Sequence, residues 1–192
     1  VRPLRIQRRL FRDDSRDLTR SDYNALTAAA KAQNKTRLAL LMEAICATGI
    51  RVSEVQYLTV EALREGRAEI SLKGKIRTIL IPGKLRKKLL QYAKKQKTAS
   101  GEIFRTRRGS PISRKQIWAE MKALCDKAGV APSKVFPHNL RHLFAKCFYE
   151  QEKDLAHLAD LLGHSSIETT RIYVAVSARA HEQILEKMRL IV

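Results

Sequence analysis

Cysteine is scarce in this chain of 192 residues: Cys46, Cys125 and Cys147 are odd in number, far apart, and each set in an apolar helical context. That excludes a disulfide framework and gives no zinc pattern, so the three read as reduced core residues of a cytosolic protein. A long hydrophobic run is also lacking. The most apolar stretch, LALLMEAICA at 38–47, is short and contains Glu43, so it cannot span a bilayer, and no signal peptide is recognisable. Internal repeats and low-complexity tracts are absent. Acidic residues are the remaining deficit, with 19 Asp and Glu against 38 Lys and Arg and a formal charge of +19. A chain so charged repels itself unless a polyanion lies against it, which puts nucleic acid ahead of an anionic membrane or a merely basic surface.

What is present has the pattern of a mostly helical domain, and 44% apolar residues suffice for one core. In LTRSDYNALTAAAKAQ, Thr19 and Asp22 form an acidic capping box, with Leu18 and Tyr23 as a staple, and a helix over about 20–33 follows. TRLALLMEAICATG is too apolar for a one-sided helix and stops at Gly49, which predicts a central buried helix with Arg51 just beyond its end. RAEISLKGKIRTILIP, at 67–82, is β-branched on both sides of Lys-Gly-Lys and predicts a hairpin with its tip near Gly74. Amphipathic helices follow at 84–97, with Leu85, Leu89, Leu90 and Tyr92 on one face, and from 114, where Trp118 fits the apolar face with Leu124 and reads as core. The tail is helical in HNLRHLFAKCFYEQ, LAHLADLLG, SIETTRIYV and ARAHEQILEKM, broken at Pro137, EKD and Gly163. The fold class expected is mainly α with a small antiparallel β-sheet.

Several polar residues stand out against this background. In FPHNLRHLFA, His138 and Arg141 are three apart on a helix starting near Pro137 and share a face, while Leu140, Leu143, Phe144 and Cys147 point to a core. His138 and His142 have a zinc-compatible spacing, but no third ligand lies nearby and no Glu follows the first histidine, so no metal is expected. ATGIRVSEV brings a second arginine, Arg51, out of a buried segment, with Glu54 one turn on and able to hold a neighbouring side chain. Such an arginine needs an anion to pair with. In LLGHSSIETTRIYV, Ser165 and Glu168 read as a capping box, so a helix starts just after His164 and puts that imidazole at the positive end of its dipole. Tyr173 follows about two turns along that helix or just past it.

Arg51 in TGIRVSE, Lys73 in the hairpin, His138 and Arg141 in HNLRH, His164 in LLGH and Tyr173 nine residues later resemble, in order and spacing, the tyrosine recombinase (phage integrase-like) family. The resemblance covers the chain from about residue 15 and implies that family's catalytic-domain fold over 15–192. Residues 1–14, opening on Val1 and RPLRIQRRLFRDD, are then expected to be a linker from a missing N-terminal DNA-binding portion. The implied activity is site-specific recombination or integration. Tyr173 attacks a DNA phosphodiester to give a 3′-phosphotyrosyl bond and a free 5′-hydroxyl, and a partner strand reverses the step. A phenol of pKa about 10 needs a proton acceptor, for which the resemblance offers His138. Arg51 and Arg141 clamp the nonbridging oxygens and His164 donates to them.

The hairpin lysine protonates the leaving oxygen. Lysines flank the glycine here and neither fits the spacing to Pro82 perfectly; Lys73 is favoured, with Lys75 as alternative. Glu54 takes a supporting role. No metal or other cofactor is required, because the cationic side chains supply the charge. Lys84, Arg86 and Lys87 on one basic helix, Arg105, Arg107 and Arg108 in RTRRGSPISRKQ, and Arg114 and Lys115 at the start of the next helix are expected to track phosphates of double-stranded DNA. The last segment, VSARAHEQILEKMRLIV, is expected to dock onto a neighbour in a homo-tetramer on DNA, the isolated domain being a monomer. His157 and His181 read as ordinary helix residues. The setting implied is the cytoplasm of a bacterium or a phage host, with no membrane partner. A type IB topoisomerase-like nicking-closing enzyme and a basic DNA-binding module without chemistry are the competing readings.

Overall fold

The computed structural model describes residues 14–72, 75–106, 108–164 and 167–174, with the backbone alone for Asp14, Leu72, Lys75, Glu168 and 172–174. At its centre runs α2 (Thr36–Thr48), which buries Leu38, Leu41, Met42 and Ile45 among others and meets neighbours on nearly every side. Helix α1 (Arg20–Ala32) packs along it, opened by the expected Thr19–Asp22 capping box. The C-terminus of α2 is set by Gly49, whose φ of 66° is left-handed backbone that few other residues adopt at low cost. A Cβ there would also lie 2.5 Å from Cδ1 of Phe144. The chain therefore turns sharply at this point, and Arg51 leaves the core in extended conformation.

A 3-10 turn (Val52–Tyr57) and a short helix α3 (Val60–Glu65), capped by Thr59 and ended at Gly66, follow. Neither was expected from the sequence: six residues with two buried apolar positions are too few to display a helical period. The hairpin pairs β1 (Arg67–Leu72) with β2 (Lys75–Leu80) antiparallel, in the register Arg67↔Leu80 to Leu72↔Lys75. Ala68, Ile70 and Ile79 face the core. The expected tip at Gly74 lies outside the described residues.

Helix α4 (Gly83–Lys95) buries Leu85, Leu89 and Tyr92 as expected. The helix anticipated from 114 is in fact two, α5 (Arg114–Lys122) and α6 (Cys125–Ala128). The reading of Trp118 as core is overturned within α5 itself: Ile117 and Met121, four apart, form the inward stripe. Leu124 is buried just beyond the end of α5, while Trp118 is 48% exposed with the Lys122 ammonium 5.6 Å from its ring. Helix α7 (Pro137–Glu152) starts with proline in its first turn and packs on α2. Asn139, buried behind it, donates to the carbonyls of Arg16 and Lys134 at 2.8 Å each and so fixes that first turn. Helix α8 (Leu155–Leu162), capped by Asp154 and ended by Gly163, and α9 (Ile167–Val174) complete the described chain.

Cys125 is buried, Cys46 and Cys147 are half-buried, and none is in a disulfide. Burial pushes the Cys46 thiol up to about 12, which makes it a core atom rather than a nucleophile. Among the described residues, no helix is long and apolar enough to cross a membrane, and no cluster of His, Cys, Asp and Glu could hold a metal ion.

Candidate active site

Three chain segments distant in sequence meet at one place: the exit from α2, the first turns of α7, and the turn that ends α8. Arg141 is the largest fully buried side chain among the described residues, 1% exposed. A guanidinium in such a position is tolerated only if its donors find acceptors. Its Nη1 donates to the Gly49 carbonyl and its Nη2 to the Leu162 carbonyl at 2.7 Å. These acceptors exist because both helices end in left-handed glycines, which leave last-turn carbonyls free of helix partners.

Arg51 approaches the same turn from the other side. Its Nη1 is 2.8 Å from Glu54 Oε1 and its Nη2 reaches the Gly163 carbonyl at 3.5 Å, with the side chain 39% exposed. Glu54 is 1% exposed and closes the 3-10 turn by accepting from the Arg51 amide at 2.8 Å. The same carboxylate accepts from Arg77 Nη2 at 2.5 Å, and Arg77 Nη1 donates to the Leu162 carbonyl. One carboxylate thus faces two guanidiniums, with a third beside them, and the site carries surplus positive charge. Burial draws Arg77 below its ordinary value, with Glu54 opposing and Arg51 adding to the fall.

His164 sits against this cationic wall. Burial, and then Arg141, Arg51, Arg77 and His138, bring its pKa down to about 4. Its Nε2 is 3.1 Å from Arg141 Nη2 and its Nδ1 is 2.8 Å from Thr170 Oγ1. An arginine can only donate, so Nε2 accepts and the neutral ring carries its proton on Nδ1, donating to Thr170. The sequence anticipated His164 as a donor to an anion; in this arrangement its inward nitrogen is an acceptor. Thr170 is wholly buried on α9 and links the histidine to that helix.

His138 lies exposed in the first turn of α7, its ring centroid 4.7 Å from that of His142. Tyr173 is placed by its backbone in the last turn of α9, three residues after Thr170, on the same side of the helix. Arg51 is thus hydrogen-bonded to Glu54 and Arg141 to His164, and the two pairs meet at the carbonyls of the Leu162–Gly163 turn. Lys73, Arg107, the expected cap Ser165, His181 and the segment after α9 lie outside the described residues, and Lys75 is placed by its backbone in β2.

Arg77 was missed by sequence reasoning. A signal existed: Ile79 is an inward strand position, and two residues earlier the alternation puts an arginine on that same inward face. Of the residues expected to track phosphates, Lys84 and Lys87 are exposed on α4, and Arg105, Arg108, Arg114 and Lys115 are exposed around the start of α5. Arg86 is half-buried over Gly66, where an added Cβ would come within 2.9 Å of its Nη1. A shallow depression of about 220 Å³, lined by Val52, Ser53, Gln56 and Arg114, joins that basic region to the turn after Arg51.

The sequence model of the phage integrase family matches residues 16–180. Tyrosine recombinase XerA of Pyrococcus furiosus is 32% identical over 166 residues, covering 83% of this chain and 57% of its own. The crystal structure of XerA recombinase superposes with a TM-score of 0.73 at 26% identity, over 90% of this chain and 63% of that one. XerH site-specific recombinase bound to its difH substrate, at 23% identity and a TM-score of 0.71, shares the fold over 91% of this chain and 55% of that one. The chain thus spans less than two thirds of the length of these relatives. The elements described and the family match agree, and the chain belongs to the phage integrase family of tyrosine recombinases, whose catalytic-domain fold it carries.

Proposed function

We propose that this chain is the catalytic domain of a site-specific DNA recombinase that cuts through Tyr173. The phenolic oxygen attacks a backbone phosphorus, the P–O5′ bond breaks, and a 3′-phosphotyrosyl bond forms. His138 accepts the phenolic proton, and Lys73, or Lys75 in its place, gives one to the departing 5′-oxygen. Arg51 and Arg141 hold the nonbridging oxygens as negative charge accumulates on them. Guanidinium forks suit this task because they stay charged and offer paired donors.

The observation that carries the reading is the convergence of Arg51 and Arg141 on the adjacent carbonyls of Gly163 and Leu162, immediately before His164. Donors already gathered on two oxygens can be offered to two oxygens of a phosphate. Arrival of that anion would also favour a protonated His164, turning Nε2 into a donor. The surplus of 19 positive charges and the exposed basic side chains of α4 and α5 support double-stranded DNA as the partner. Strand exchange by a homo-tetramer, joined through the segment after α9 and working in the cytoplasm, belongs to the same proposal.

The test begins from a pool of nicked duplexes randomised over the central base pairs, in which cleavage releases a short strand and traps the protein. Denaturant-stable protein–DNA complexes are recovered and sequenced, and the attachment site is mapped by mass spectrometry. Attachment at Tyr173 is expected. Tyr173→Phe should abolish the adduct and leave DNA binding within about twofold, since the basic surface is untouched. Binding without any adduct would reduce the chain to a DNA-binding module.

A further inference from the structure

We infer that Arg77 is a positioning residue, which docks the lysine-bearing hairpin onto the Leu162–Gly163 turn and thereby aligns the leaving-group side of the site with its phosphate side. The inference rests on the recombinase reading above and adds to it a residue that takes no part in the bond-making itself.

Arg77 lies on β2, two residues after Lys75 and four after Lys73. Its side chain is 13% exposed and runs inward from the strand. One end of its fork meets Glu54 at 2.5 Å and the other meets the Leu162 carbonyl. Nε, equally buried, has no partner among the described residues, so the two terminal nitrogens carry the attachment. The stem fits against Gly163: a Cβ at that position would collide with Arg77 Cδ and stand 2.9 Å from Nη1. Gly163 is thus required twice, by its φ of 62° and by the arginine passing over it.

What removal of Arg77 would leave intact identifies its role. Arg51 keeps Glu54 and the Gly163 carbonyl. Arg141 keeps the carbonyls of Gly49 and Leu162 and its contact with His164. The groups that would hold the phosphate therefore retain their own attachments. The hairpin, in contrast, loses the side chain by which β2 reaches both Glu54 and α8. On the other strand, the described polar tie to the 3-10 turn is a 3.5 Å contact from the Tyr57 hydroxyl to the Ser71 carbonyl. A two-stranded ribbon held mainly by its apolar inner face can shift its far end by more than proton transfer tolerates.

The two sides of the site are separable chemically. On an ordinary duplex, departure of the 5′-oxygen needs a proton from the hairpin lysine. On a duplex with sulfur bridging phosphorus to the 5′-carbon, the P–S bond breaks and a thiolate leaves without one. The experiment measures single-turnover adduct formation by the full chain on both substrates, using a duplex recovered from the pool. Arg77→Met is expected to slow the ordinary substrate by about tenfold or more, with the sulfur substrate within about threefold of the unaltered protein. Substitution of the proton-donating lysine by alanine should give the same split, and adding Arg77→Met to it should slow the ordinary substrate little further.

Equal slowing on both substrates would overturn the inference and assign Arg77 to the phosphate side. No slowing on either would overturn it as well. Should Arg77→Met fail to fold, Arg77→Lys is read in the same way: it keeps a cation for Glu54 but cannot reach Leu162 at the same time. An unaltered protein that binds DNA and forms no adduct is a different failure, that of the recombinase reading itself.

Discussion

At the scale of single residues, the two arginines of the candidate site have different structural positions and should respond differently to removal. Arg141 is wholly buried and satisfies carbonyls at the ends of two helices. Arg141→Ala leaves the Gly49 carbonyl without this donor and opens a cavity, and is expected to cost about 2–4 kcal/mol in urea unfolding as well as abolishing cleavage. Arg51 is more than a third exposed, and Glu54 retains Arg77 when it is lost. Arg51→Ala should therefore lower stability by less than about 1 kcal/mol while cutting single-turnover cleavage by about a hundredfold or more. His164 gives a third test. Its folded pKa of about 4 lies below the ordinary histidine value, so the unfolded chain binds a proton that the folded ring refuses. Stability from this group is complete above about pH 6.5 and is lost as the pH falls through the folded value. Imidazole NMR should find the His164 ring titrating near 4 in the free protein and markedly higher with DNA bound, and His164→Gln should flatten the acid limb of the stability curve.

At the scale of elements, the site is made by helix ends. Gly49 and Gly163 stop α2 and α8 in left-handed backbone, and the carbonyls just before or at those stops are the acceptors on which Arg141, Arg51 and Arg77 converge. Gly49→Ala combines a strained φ with a Cβ placed 2.5 Å from the Phe144 ring. It should cost about 2 kcal/mol or more, read as a lower urea midpoint, because α7 must retreat from α2 and take His138 and Arg141 with it. Residue and element are connected here: the glycine shapes the exit of α2, and that exit aims Arg51.

At the scale of the whole molecule, the property that matters is charge. A net +19 concentrated on exposed lysines and arginines predicts DNA affinity that falls steeply with salt. Lys84→Ala and Lys87→Ala, both exposed on α4, should each lower the slope of log K against log salt by about 1 unit. Lys88 on the same helix is bound to Glu43 at 2.6 Å, so Lys88→Ala should change the slope less. Fluorescence anisotropy across a salt series checks all three.

The sequence by itself determined the helical class with its one small hairpin and the buried α2 with its glycine stop, because each is written in local periodicity, caps and turn residues, and motif spacing singled out Arg51, Glu54, Arg141 and His164. Tertiary structure alone decided the rest. Trp118 faces solvent because Ile117 and Met121 take the inward face of α5, and which face of that helix turns inward is a packing outcome. Arg77 joined the site because Glu54 and the Leu162 carbonyl lie opposite its strand, and no spacing in sequence relates those three. The acceptor state of His164 likewise follows from its distance to Arg141 and Thr170. Local patterns fix what each segment forms; which donor meets which acceptor is fixed when segments far apart in the chain pack and must satisfy their buried polar groups on one another.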